Sequence, residues 1–459
     1  MSDMIRCFSP IDGALVAERE AFDKRAAASA LERARAAQTD WAARPVAERV
    51  KLVEAGVAAF AAMEDSVPEL ARMMGRPIRY GGEAKGVAER AGYMASIAES
   101  ALAPIRIADD AGFRRYIARE PHGVVLVVAP WNYPYLTAIN TVAPALIAGN
   151  AVLLKAAAQT LLSGERLARA FHSAGVPEAV LQPVHLTHQG TTDLIAARAF
   201  DFVNFTGSVG GGRAIEKAAA GTFTPIGLEL GGKDPGFVME DADLEAAAET
   251  LIDGAMFNSG QCCCGIERIY VAAPLFDRFV EKCVSICETY TLGDPLDPAT
   301  TMGPMAQTRF ADLVRRQTAE AVSAGAKALV DPKKFPDQGG AYLGPQVLTG
   351  VSHKMDLMKE ENFGPVVGIM KVSGDDEALA LMNDCAYGLT ASLWTRDLDR
   401  AERLGARIET GTVFMNRCDY LDPALCWTGV KETGRGAALS VLGYQSLTRP
   451  KSFHLKKPQ

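Results

Sequence analysis

Two hydrophobic textures alternate along the chain. From about Asp23 to Ala103, Ala, Glu, Arg and Leu dominate, which predicts helices broken at Pro45 and over Met74–Gly82. Phe113–Pro121 (FRRYIAREP) mixes charges with aromatic and β-branched residues, as an exposed strand does. Gly123–Ala129 (GVVLVVA) is instead a continuous apolar run, the texture of a strand covered on both faces in a parallel sheet. Ala151–Leu154, a helix-like Leu161–Ala174 and the strand Phe202–Phe205 follow, the last running into a glycine-rich turn before a helix-like Arg213–Ala220. Strands alternating with helices predict βαβ units and a doubly wound sheet.

After Gly232 the pattern repeats in kind. Strand-like Pro235–Met239, Arg268–Val271, Val366–Val372 and Gly411–Met415 are interleaved with helix-like Ala242–Asn258, Leu275–Tyr290, Thr308–Ala324 and Asp375–Asn383. This predicts a second α/β unit. The tail, Ser446–Lys457, alternates basic with β-forming residues. Two exposed strands would be association hazards alone, so pairing across subunits is expected, as a homodimer or homotetramer.

Composition narrows the class. The 459 residues, 48% hydrophobic and 22% charged, fit two or three globular units. A net charge of −7 argues against nucleic acid or an anionic membrane as partner. No apolar run is long enough to span a bilayer, and the opening MSDMIRCFSPIDG does not read as a secretion signal. The default address is the cytoplasm, where the nine cysteines stay reduced.

Four segments could carry chemistry. In Gly260–Gly265 (GQCCCG) three cysteines lie beside glycines, which allow close backbone approach to a ligand. In an extended segment Cys263 would face one side and its neighbours the other, and a thiolate there could attack a carbonyl. In Gly227–Lys233 (GLELGGK), Glu229 sits between two leucines, either as a solvated strand residue or as a carboxylate in an apolar pocket, raised toward general-base range. Ala129–Pro134 (APWNYP) follows the apolar strand at its carboxyl end, where open α/β sheets bind ligands, and Asn132 offers an amide donor for an oxyanion. Finally, Gly207 to Gly212 forms a turn that could aim backbone amides at a phosphate. No metal site is expected.

Together, and in this order, these segments resemble the aldehyde dehydrogenase superfamily, in its hydrolytic branch that does not acylate coenzyme A. The resemblance runs from about residue 8 to 457 through PWNYP, LLK ending at Lys155, FTGS, LELGGK, GQCCCG, Glu360–Pro365 (EENFGP), Gly411–Asn416 (GTVFMN) and Lys431–Arg435 (KETGR). It implies a Rossmann-like cofactor domain over 1–102 and 122–229, a catalytic domain over 230–446, and oligomerisation strands over 103–121 and 447–459. It implies Cys263 as nucleophile, Glu229 as general base, and Asn132 with the Cys263 backbone amide as oxyanion donors. Trp131 and Lys155 would contact the cofactor, Gly207 and Ser208 its pyrophosphate, Glu361 the nicotinamide ribose and Phe363 the ring. An aldehyde would become an acid through a cysteine thiohemiacetal and thioester, with NAD or NADP taking the hydride.

Two departures from the family's pattern bear on specificity. NAD-preferring members often carry a glutamate three places after the lysine, and here Ala158 stands there, so NADP is admitted while the lean stays toward NAD. The positions of the two arginines of succinic-semialdehyde members are taken by Phe257 and Asn140. A mouth lined by Tyr135, Phe257, Tyr420 and Trp427 then favours an apolar or aromatic aldehyde. The alternative is a semialdehyde dehydrogenase using Arg417 as anion anchor. A non-catalytic binding protein on a dehydrogenase scaffold would lack the nucleophile or base, and both are present.

Overall fold

The computed structural model describes residues 3–108, 112–335 and 339–458. Residues 1, 2, 109–111 and 459, included in the divisions expected from sequence, and 336–338 lie outside that set.

The helical opening forms Lys24–Ala43, Val46–Ala61, Ser66–Met74 and Ala84–Leu102, broken where Pro45 and the Gly75–Gly82 stretch interrupt it. Asp23 starts the first helix by accepting the Ala26 amide on its side chain, which satisfies one of the open N-terminal donors. The last three of these helices cover one face of a six-stranded sheet, and Lys24–Ala43 packs Ala27, Ala30 and Ala34 against the other. From edge to edge its strands are Gly434–Arg435, Ile226–Glu229, Phe202–Thr206, Val124–Val128, Ala151–Lys155 and Leu181–Pro183, with only the first pairing antiparallel.

The apolar run explains the middle of that sheet. Val125 and Val127 join the core beneath the opening helices, while Val124, Leu126 and Val128 join a second core on the opposite face. Each such buried side chain contributes about 1.5–3 kcal/mol, which is why the strand has no polar positions. Chain order reverses between Val124–Val128 and Phe202–Thr206, so the crevice beyond their carboxyl ends is the place where a ligand is expected.

The second unit is a seven-stranded sheet: Lys327–Ala328, Gln346–Thr349, Val366–Val372, Ile266–Ala272, Asp234–Val238, Thr390–Trp394 and Thr412–Met415. Its strands also alternate between two cores, with Tyr270 on one face and Ile269 and Val271 on the other. The division at 229/230 is not clean in space. Gly434–Arg435 pairs antiparallel with Leu228 and Glu229 in the first sheet, and Leu439, Tyr444 and Leu447 pack into the first unit's core.

Thr448–Lys456 pairs along its whole length with Phe113–Pro121, which pairs in turn with Ile105–Arg106 in a separate three-stranded sheet. Among the described residues no helix is long and apolar enough to cross a membrane.

Candidate active site

The site lies at the switch point. Ala129–Asn132 leaves the end of the Val124–Val128 strand, held by the Ala129 amide on the Lys155 carbonyl at 2.9 Å. The following helix, Pro134–Ala148, is fixed at its start by Glu83, whose Oε2 accepts the amides of Tyr135 and Leu136 at 2.9 and 2.6 Å. Glu83 is itself paired with buried Arg76 at 2.8 Å, and Arg76 donates onward to the Asn132 carbonyl and to Asn258 Oδ1. The Asn132 side-chain amide reaches the cysteine segment, donating to the Gln261 carbonyl at 3.2 Å.

That segment is not extended. Asn258, Ser259 and Gly260 are successive left-handed residues, with φ of 54°, 56° and 71°. A Cβ on Gly260 would come within 2.2 Å of the Gly364 backbone, so only glycine fits there. The Gly265 amide then closes a turn on the Cys262 carbonyl at 3.1 Å. In place of the alternation expected of a strand, the turn brings all three sulfurs within 4.8 Å of one another. Cys262 and Cys264 are buried, 3.5 Å apart, and donate to one oxygen, Oδ1 of Asp419, at 3.2 and 2.9 Å. Cys263 is the half-buried one. The neighbouring Cys262 and Cys264 hold the Cys263 thiol well below the ordinary range despite its burial.

Glu229 ends its strand beside Thr206, whose hydroxyl donates to it at 3.4 Å. Burial raises its carboxyl to about 7, against the smaller lowering effects of Thr206 and Arg90. Burial thus favours the pocket alternative for Glu229 over the solvated one.

Several residues expected at the cofactor converge on the same crevice. Lys155 is buried, its ammonium has no hydrogen-bond or ion partner among the described residues, and burial brings it down to about 8. Ser208 caps the helix Val209–Ala219, accepting the Gly211 amide at 3.2 Å. The helix thus begins four residues earlier than Arg213. Gly207 and Gly211 are glycines because a Cβ at either would strike the Phe205 ring, not because of a left-handed turn. Phe363 meets Trp131 edge-on at 5.6 Å, and Glu361 folds against the glycine pair, its Oε1 accepting the Gly232 amide at 3.0 Å. Burial, then the charge of Glu267, raises the Glu361 carboxyl to about 8. A buried cation without a partner among the described residues at the end of one strand, and a helix N-terminus after another, suit the ribose and pyrophosphate of a dinucleotide.

The expected aromatic mouth does not form as a group. Tyr135 is 1% exposed and packs its ring on Phe60 in the helical core, because nearly the whole Pro134–Ala148 helix is buried. Trp427 is buried and exchanges two backbone hydrogen bonds with Ala438. Phe257 lies against Tyr80, and the Tyr420 hydroxyl donates to Glu89. Arg417, the alternative anchor, is exposed and stacks 3.9 Å above the Tyr420 ring.

Three further contributors escaped sequence reasoning. Asp419 is one. A second is Glu267, which pairs with buried Lys233 at 2.5 Å and accepts the amides of Asn362 and Phe363, fastening the EENFGP loop to the LELGGK segment. The third is Arg90, on the Ala84–Leu102 helix. It donates to the Leu136 carbonyl at 3.0 Å and to Asn140 Oδ1 at 3.3 Å. It has no carboxylate partner among the described residues, and its charge is felt at Cys264, Glu83, Cys263 and Glu229.

Comparison with known proteins decides the class. A profile described as the aldehyde dehydrogenase family matches residues 1–453. The chain belongs to the aldehyde dehydrogenase family. It is 36% identical to the 3,6-anhydro-alpha-L-galactose dehydrogenase of Streptomyces coelicolor, over 98% of this chain and 92% of that one. It is 34% identical to the NADP(+) succinate-semialdehyde dehydrogenase of Deinococcus radiodurans, over 92% and 88% of the two chains. Among solved structures, PnpE in complex with nicotinamide adenine dinucleotide superposes with a TM-score of 0.94 at 30% identity, covering 99% of this chain and 94% of that one. This aldehyde dehydrogenase is therefore an NAD(P)-dependent oxidoreductase on the two-unit α/β fold that the sequence predicts.

Proposed function

We propose that the enzyme oxidises an aldehyde whose far end carries a carboxylate or another strong hydrogen-bond acceptor, received by Arg90. The observation behind this is the half-buried guanidinium without a carboxylate partner, beside the nucleophile and base. Asn140, which stands where succinic-semialdehyde members place an arginine, is buried and turns its side-chain oxygen toward Arg90. A cation absent from one helix is thus supplied by its neighbour. A half-buried cation without a counter-ion is costly, and a substrate anion removes that cost. An apolar substrate does not.

In this reading Cys263 is the nucleophile, Glu229 the general base and Asn132 an oxyanion donor. The Cys263 sulfur forms a bond to the aldehyde carbon, and the oxyanion takes hydrogen bonds from the Asn132 amide and the Cys263 backbone amide. When bound, NAD(P) supplies the hydride acceptor. Trp131, Lys155, Gly207, Ser208, Glu361 and Phe363 would hold it. After hydride loss the carbon is a thioester. Glu229 removes a proton from water, the water oxygen bonds to that carbon, the C–S bond breaks, and the acid leaves with the thiolate restored. At position 158 alanine offers a 2′-phosphate no repulsion, and the reading is NAD with NADP accepted. Reduced thiols suit a cytoplasmic address.

The test is an initial-rate panel of propanal, hexanal, benzaldehyde and succinic semialdehyde with both cofactors, for the native enzyme and Arg90→Met. Succinic semialdehyde should give the highest kcat/KM. It should lose about 100-fold in the variant, the range of one charged hydrogen bond, with hexanal little changed. A native preference for hexanal or benzaldehyde would return the pocket to the apolar reading.

A further inference from the structure

We propose that Cys262, Cys263, Cys264 and Asp419 form a binding site for one thiophilic divalent cation, of the zinc or cadmium class, whose capture silences the enzyme reversibly. The three sulfurs lie within 4.8 Å of one another, and those of Cys262 and Cys264 are 3.5 Å apart. A tetrahedral zinc centre with bonds near 2.3 Å places its sulfurs about 3.8 Å apart, so the thiols need shift only slightly to share a cation. The fourth ligand is already in place. Asp419 Oδ1 stands 3.2 and 2.9 Å from two of those sulfurs and has no cationic partner among the described residues.

The backbone holds this arrangement without a metal. The turn closed from Gly265 to Cys262 puts successive sulfurs on one side, and Asp419 is held in a left-handed conformation with φ of 52°. On binding, the cation takes the place of the protons on the cysteine thiols and the Asp419 carboxyl, which pass to solvent, and bonds to the three sulfurs and one carboxylate oxygen. The Cys263 lone pair is then engaged and no carbon can be attacked. Because Cys263 is the half-buried member and its neighbours are buried, the cation enters past Cys263 and competes with the aldehyde.

Cadmium chloride on the chelator-treated full-length enzyme tests this, read by equilibrium dialysis, by cadmium–thiolate ultraviolet absorption and by iodoacetamide labelling of Cys263. One cadmium per chain should bind, protect Cys263 from labelling and inhibit turnover, with EDTA restoring both. The double variant Cys262→Ser, Cys264→Ser should lose at least 100-fold in cadmium affinity, and Asp419→Asn about 10-fold. Cys283→Ser, in a separate core, should bind as the native protein does. If the double variant binds cadmium as tightly as the native enzyme, or if less than one cadmium binds per native chain, the site does not exist. These readouts do not depend on which aldehyde the enzyme prefers.

Discussion

Arg76 and Glu83 form an ion pair of 2.8 Å with side chains 4% and 2% exposed, and the pair anchors both halves of the site. Glu83 holds the first amides of the Pro134–Ala148 helix, and Arg76 holds the Asn132 carbonyl and Asn258. Removing one member leaves the other buried and uncompensated. Glu83→Ala should therefore destabilise the protein by about 3–5 kcal/mol in chemical denaturation, beyond what a surface pair contributes. It should also lower kcat, because the turn carrying Asn132 loses its register against Gln261. A loss under 1 kcal/mol would mean that water or a neighbour replaces the carboxylate.

As the proposed general base, Glu229 should set an alkaline requirement for acid release. Its carboxyl is raised to about 7 by burial, so the protonated form dominates below that pH and cannot accept a proton from water. The steady-state rate should climb as pH rises through about 7 and then level. In Glu229→Gln a first equivalent of NAD(P)H should still form rapidly, whereas steady turnover falls about 10²–10⁴-fold and the limb near 7 disappears. The sign for stability is opposite. With its folded value above its unfolded one, Glu229 stabilises the fold at low pH, and that contribution is lost as pH rises from the unfolded value through about 7. An unchanged limb in the variant assigns it to another group.

The three cysteines should separate in function. Cys263→Ala should lose more than about 10⁴-fold in turnover, as loss of a nucleophile does. Cys262→Ala and Cys264→Ala remove the neighbours that hold Cys263 low, so its value should rise toward that of a free thiol. Less thiolate is then present at neutral pH, but each thiolate is intrinsically more nucleophilic, and the two effects largely cancel. Turnover near pH 7 should stay within about 10-fold of native, while iodoacetamide labelling of Cys263 becomes pH-dependent between 6 and 9. Labelling that stays flat would place the donor role elsewhere.

The buried strands were the easiest part of the chain to read, and for one reason. Val124–Val128 is covered on both faces, so its sequence is a continuous apolar run that few other environments demand. Segments whose geometry depends on tertiary contact were not legible. Three glycines after Ser208 suggest a loop, yet the serine cap and the Phe205 ring make them the first turn of a helix. Three consecutive cysteines suggest an extended piece, but the left-handed run at Asn258–Gly260 turns them onto one side. Tyr135 looks like a mouth residue by proximity to Asn132, and helical geometry sends it into the core. Arg90 and Glu267 carry no local signal, since an arginine on an amphipathic helix or a glutamate in a strand reads as solvated until its neighbours are known.

The sheet formed by Thr448–Lys456, Phe113–Pro121 and Ile105–Arg106 bears on assembly. Tyr116 stacks on Phe453 at 4.5 Å and Phe113 on His454 at 4.6 Å, so the strands are held to each other by aromatic pairs more than by a core. Among the described residues the outer edge of Thr448–Lys456 has no strand beside it; Leu455 on that strand is 46% exposed, and Ile105 and Ile107 at the opposite edge are 47% and 44% exposed. An open strand edge on a sheet that exposes apolar side chains at both edges is a surface that a second copy would cover. Light scattering coupled to gel filtration should give a dimer or tetramer of the 48.9 kDa chain. Ile105→Lys combined with Leu455→Lys should yield a smaller species, because charge on the arm opposes pairing. Both side chains lie outside the cores, so the variant should keep its fold and a measurable turnover. A native monomer, or a variant of unchanged mass, would show that this arm is not the contact and that the exposed edge is shielded by its own basic residues instead.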